Sequence, residues 1–107
     1  MNTLDKINLD LLEVDYGARR FLLGGRKVFL RNKEFTLLMY FIENMGRVLS
    51  RTQILEDVWD RNILCPTNTV DVHVSSLRRK FKKYANKDYI KTVHCVGYLF
   101  ETTDEEY

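Results

Sequence analysis

Between Thr69 and Phe81 the chain reads Thr-Val-Asp-Val-His-Val-Ser-Ser-Leu-Arg-Arg-Lys-Phe, a stretch that a helix sorts into two coherent faces. At about 100° per residue, Val70, Val74, Leu77, Phe81 and Tyr84 gather into one apolar stripe, while Val72, Ser75, Ser76, Arg79 and Lys83 point the opposite way. The stripe obliges the helix to lie on a core. The outer face has little bulk near its start and cations near its end, which suits a helix whose first half enters a major groove and whose second half runs out along phosphates. An ordinary amphipathic helix with a solvated basic face shows the same pattern, so the rest of the chain has to decide.

The 107 residues make one domain, read as 1–107 with a core at 6–101 and an acidic tail at 102–107. Cys65 and Cys95 form no disulfide framework and no C-x-x-C pair, so a reducing cytoplasm is the simplest setting. No apolar run approaches membrane-spanning length, and Met1 to Asp10 lacks both a basic start and a long apolar block. The formal net charge of +2 says little about partners, but its distribution says more. Residues 67–100 hold seven cations (Arg78, Arg79, Lys80, Lys82, Lys83, Lys87, Lys91) against Asp71 and Asp88, while Glu101, Asp104, Glu105 and Glu106 make the end of the chain acidic. A basic patch confined to one helix and its neighbour is the electrostatic footprint of a polyanion binder.

Four β-type runs, at 7–9, 12–16, 20–23 and 27–30, are punctuated by Gly17 and Gly24-Gly25 and predict a small antiparallel sheet. Gly24-Gly25 marks a hairpin, because both residues tolerate the positive φ of a primed turn. Phe35, Leu38, Met39, Ile42 and Met45 then recur at helical spacing, predicting a first helix over 34–45 that Gly46 ends. Ser50-Arg51-Thr52-Gln53 reads as a capping box, with Leu49 and Ile54 as a hydrophobic staple, and opens a second helix that stops near Asp60. Asp60 to Thr67 is a loop broken by Pro66, and the third helix runs from about Asn68 to Tyr84. The runs 89–93 and 98–100, joined through His94-Cys95-Val96-Gly97, read as a closing hairpin.

Two helices, the second basic, followed by a hairpin make a winged helix-turn-helix plan. Five segments carry the likeness further: Leu30-x-x-Lys33-Glu34-Phe35-x-Leu37-Leu38; Gly46-Arg47-Val48-Leu49-Ser50-Arg51; Leu55-x-x-Val58-Trp59; Asn68-Thr69-Val70-Asp71-Val72-His73-Val74-Ser75-x-Leu77-Arg78-Arg79-Lys80; and Ile90-Lys91-Thr92-Val93-x-x-Val96-Gly97-Tyr98. In this order and spacing they resemble the effector domain of OmpR/PhoB-type bacterial response regulators, over roughly residues 6–101. The resemblance implies an α+β fold: a four-stranded antiparallel N-terminal sheet, three helices and a C-terminal β-hairpin wing. It also implies transcription regulation by binding double-stranded DNA at tandem repeats, with the third helix in the major groove, the wing at the minor groove and self-association on DNA. Contact with RNA polymerase would use the loop before the third helix, through Arg61, Asn62, Ile63 and Leu64.

By the same resemblance Arg51, Trp59, Thr69, His73 and Arg78 stand at phosphate-contacting positions, and each has the right chemistry. Val72, Ser75, Ser76, Arg79 and Lys83 on the helix, with Thr92, His94 and Tyr98 in the wing, complete the candidate interface. Val72 faces outward, where an apolar side chain gains most by meeting a thymine methyl. Asp71 is expected near the helix start, beside free N–H groups and the positive end of the dipole, and not as a base reader.

The chain departs from the family pattern in three places. Arg31-Asn32 replaces Thr-Pro before the first helix, leaving initiation to Asn32 or its neighbours; Ser76 replaces a reading-helix arginine; His94-Cys95 replaces Arg-Gly in the wing. The last exchange removes a guanidinium from the minor groove and puts a Cβ where glycine suits positive φ. A winged helix used mainly for protein contact is the alternative these departures leave open. An enzyme has no support, because there is no Gly-rich phosphate loop and no nucleophile-and-base spacing. Cys65, His73, His94 and Cys95 match no common zinc spacing, so neither metal nor cofactor is expected. No phospho-acceptor receiver domain is contained in the 107 residues.

Overall fold

The computed structural model describes residues 6–59, 66 and 68–102. The four predicted β-type runs form one antiparallel sheet of β1 (Lys6–Leu9), β2 (Leu12–Asp15), β3 (Arg20–Leu23) and β4 (Arg26–Lys27), in that order. Leu23 pairs with Arg26 across Gly24 (φ 61°) and Gly25 (φ 83°), the two-residue primed turn that the glycine pair predicts. The fourth strand is shorter than expected and starts earlier, at Arg26 instead of Lys27. Val28 still donates its N–H to the Phe21 carbonyl at 2.9 Å and turns its side chain into the core, and Phe29 after it is 78% exposed on the way to the first helix.

That helix, α1, is Asn32–Glu43, two residues ahead of the expected frame at each end. Its N-cap is Arg31, and initiation comes from Glu34, whose Oε1 accepts the Arg31 N–H at 2.9 Å. Asn32 is instead the first helical residue, and its side chain accepts from Arg19 at 2.8 Å. Gly46 has φ 84° as expected, yet its N–H is donated to the Phe100 carbonyl, not back into α1.

Helix α2 is Arg51–Val58, with the Ser50 hydroxyl accepting the Gln53 N–H at 3.0 Å, which is the Ser50 half of the predicted capping box. Lys33 donates from α1 to the Val58 carbonyl at 3.1 Å, placing a cation at the negative end of α2. Helix α3 is Asn68–Ala85, and its stripe residues Val70, Val74, Leu77 and Phe81 are fully buried, with Tyr84 at the margin.

The closing hairpin belongs to a larger sheet. β5 (Val48–Ser50), β6 (Ile90–Val93) and β7 (Gly97–Phe100) lie in the order β5-β7-β6, all antiparallel. At Ser50↔Gly97 the strands approach so closely that a Cβ on Gly97 would sit 1.9 Å from the Leu49 carbonyl oxygen, so only glycine fits. The core is continuous from the N-terminal sheet through the three helices to this second sheet: Phe81 meets Tyr89 edge-on at 5.1 Å, and Phe100 lies 6.0 Å from Tyr89 and from Phe41. Tyr89 also donates to Asp10 at 2.7 Å, joining the wing base to the β1–β2 turn.

Candidate nucleic-acid interface

Side-chain contacts join the start of α2, the first turn of α3 and the wing. Along α3, Val72 is 62% exposed, and Ser75, Arg79 and Lys83 are exposed beside it. Small side chains therefore precede cations along one helical face, as the sequence predicts. Ser76 departs from that expectation. Its hydroxyl donates to Glu34 Oε2, which turns it off the outer face and toward α1. A buried carboxylate needs donors, and Ser76 is one of three that Glu34 receives.

Glu34 is 2% exposed and also accepts from Lys80 at 2.7 Å and from the Arg31 N–H. Burial pushes its carboxyl up, but these hydrogen bonds and the Lys80 charge outweigh that and hold it below its ordinary value. Lys80 is thereby withdrawn from the outer face. Lys87 pairs with Asp10 at 3.8 Å and Lys91 approaches Glu101 at 4.0 Å. Of the seven cations of residues 67–100, Lys80, Lys87 and Lys91 thus face carboxylates, and α3 itself exposes Arg79, Lys82 and Lys83.

Arg51 and Arg78 flank the ring of Tyr98, at 5.3 and 5.4 Å from its centroid. Arg78 donates from Nε and a terminal nitrogen to the Ile90 carbonyl, at 3.1 and 2.9 Å, and to the Thr92 hydroxyl at 2.7 Å. It thus ties α3 to β6. Thr92 pairs in register with Tyr98, so both side chains face α3. Tyr98 is only 4% exposed and its hydroxyl donates to Asp71, whereas the other wing candidates, Thr92 and His94, are exposed. Burial and that donation both raise the Tyr98 hydroxyl above its ordinary value.

Asp71 lies in the first turn of α3 as expected, but its Oδ1 is taken by side chains: Arg51 Nε at 2.8 Å and the Tyr98 hydroxyl. Burial pushes this carboxyl up, and the two hydrogen bonds with the Arg51 charge prevail and hold it low. Trp59 caps α2, with Lys33 at 5.9 Å over its ring and His73 against its edge at 4.9 Å between centroids. His73 Nδ1 lies 2.8 Å from the Thr69 carbonyl, which can only accept, so Nδ1 carries the proton and Nε2 faces away from that bond. In the wing, Val96 N–H closes a turn onto the Val93 carbonyl at 3.0 Å with exposed Cys95 at φ 64°. The departure from glycine thus falls on a left-handed position. His94 is exposed beside it. Arg61, Asn62, Ile63 and Leu64 of the expected partner loop, and the end of the tail, lie outside the described residues.

A three-helix domain with a cationic α3, a hairpin beside it and a sheet at each end is a winged helix-turn-helix of the DNA-binding class. Residues 25–100 match the family described as "Transcriptional regulatory protein, C terminal", and the chain belongs to that family, the OmpR/PhoB-type effector domain. It is 41% identical over 93 residues to the transcriptional regulatory protein CusR of Escherichia coli K12, covering 87% of this chain and 41% of CusR. The chain thus spans less than half the length of that relative. The DNA-binding domain of CpxR from E. coli superposes with a TM-score of 0.76 at 28% identity, covering 91% of this chain and 96% of that one. The Klebsiella pneumoniae RstA DNA-binding domain, solved in complex with the RstA box, gives 0.74 at 31% identity, covering 92% and 98%. The family is one of transcription regulators, not of enzymes.

Proposed function

We propose that this domain binds double-stranded DNA as the effector unit of a transcription regulator, with α3 in the major groove and the wing at the minor groove. One observation carries the proposal: Val72, Ser75 and Arg79 are exposed along α3, while Arg51 at the start of α2 is joined to Asp71 of α3 and Arg78 of α3 to Thr92 of the wing. The short side chains let the helix approach base edges closely, and the arginines fix its depth on the backbone. Arg79, Lys82 and Lys83 supply the later phosphate contacts, and Trp59, Thr69 and His73 border the opposite strand of the groove. Tandem occupancy of repeated sites, self-association on DNA and contact with RNA polymerase through residues 61–64 extend the same reading.

A titration of duplex DNA at several salt concentrations tests it. Affinity falls with a log-log slope of about −0.9 for each phosphate neutralised. The slope corresponds to fewer phosphates than the cations of residues 67–100, because Lys80 is held inward by Glu34. A flat salt dependence, or no binding at low salt, transfers the surface to protein contact instead.

A further inference from the structure

We infer that Asp71 is a positioning residue: it contacts no DNA, but sets the Arg51 guanidinium for a backbone phosphate and locks that arginine to the wing. The inference rests on the DNA-binding reading above and adds a residue to it. Asp71 Oδ1 gathers donors from two other elements, Arg51 Nε from the start of α2 at 2.8 Å and the Tyr98 hydroxyl from β7. Because the ion pair uses Nε, the carboxylate holds one edge of the planar guanidinium and does not engage the two terminal nitrogens. Those terminal nitrogens are the pair that grips a phosphate in bidentate fashion. Tyr98 then fixes the plane, since its ring lies 5.3 Å below the same guanidinium and 5.4 Å from that of Arg78, which is itself bound to β6. The start of α2, the first turn of α3 and the wing are thereby held in one register.

The sign of the effect separates this role from plain electrostatics. A carboxylate near a polyanion repels it, so charge alone requires that removing Asp71 tightens DNA binding. Positioning requires the opposite. The test compares the intact domain with Asp71→Ala and Asp71→Asn in binding to one mixed-sequence duplex across a salt series, after thermal melts establish that each is folded. Asp71→Ala is expected to bind roughly tenfold more weakly, with a slope shallower by about 0.9 because the Arg51 phosphate contact is lost. Asp71→Asn, whose side-chain oxygen still accepts from both donors, recovers the slope and most of the affinity. In an Arg51→Ala background, Asp71→Ala has little further effect on the slope. Should Asp71→Ala not fold, Asp71→Ser carries the same expectation, because its shorter side chain does not span to Arg51 and serine is tolerated near a helix start. Binding by the alanine or serine variant that equals or exceeds the parent, with an unchanged slope, overturns the inference while leaving DNA binding intact. Failure of the parent domain to bind duplex DNA overturns the function itself.

Discussion

At the residue scale, Glu34 shows how a charge on this chain is used inside the domain. It sits at the third position of α1, caps the Arg31 N–H, and joins α1 to α3 through Lys80 and Ser76. Its carboxyl titrates below the ordinary value of 4.5 in the folded state, so the unfolded chain takes up the proton first as pH falls. The stability contributed by Glu34 is therefore fully present above about pH 4.5 and is lost as pH falls through the lower folded value. Glu34→Gln should destabilise the domain by about 2 to 4 kcal/mol at neutral pH, because Lys80 is left beside a neutral partner in a nearly buried site. Denaturant unfolding at pH 7 and below pH 4 checks this: the difference between the two proteins should shrink in acid, and a constant difference would assign the effect to packing. None of this is legible in the sequence. The partners lie 42 and 46 positions away, and only the fold brings them to Glu34. The same contact explains why helical periodicity misplaces Ser76, which stands at the border of the outer face and is drawn inward by a carboxylate on another helix.

At the element scale, the helices were legible because each buries a stripe of period 3.6, and the N-terminal strands because glycine turns punctuate them. β5 was not, since three residues between Gly46 and the Ser50 cap are too few to show a period, and its partner β7 lies about fifty positions on. Its existence gives Gly97 a second purpose beyond the wing turn. Gly97→Ala should separate β5 from β7 and cost about 1 to 3 kcal/mol, in the range of overpacked sites; a thermal melt unchanged from the parent would contradict the close approach. The wing tip carries a different expectation. With His94 in place of the family's arginine and Cys95 at φ 64°, the tip offers less to the narrow A·T-rich minor groove, whose negative potential attracts guanidinium. His94→Arg should tighten binding several-fold, most strongly beside A-tracts, in competition assays on duplexes differing only in flanking sequence. Equal affinity on every flank would remove the wing from the minor groove.

At the scale of the whole molecule, charge and shape divide the domain into a core-facing side and a ligand-facing side. The N-terminal sheet packs on α3 through β3 and shares one continuous core with the helices. The start of α2, the first turn of α3 and the two wing strands are tied together by Asp71, Tyr98 and Arg78. The family was readable from five ordered motifs, whereas the division between cations that face outward and those held inward depends on tertiary pairs that no local pattern records. The most direct test of this arrangement follows the backbone amide resonances of the domain as a mixed-sequence duplex is added at low salt, where backbone contact alone suffices for binding. Shifts should concentrate at Arg51, at Val72, Ser75 and Arg79 on α3, and at His94 to Val96, with β1 to β4 unmoved. Shifts centred on the N-terminal sheet, or none at all, would contradict it.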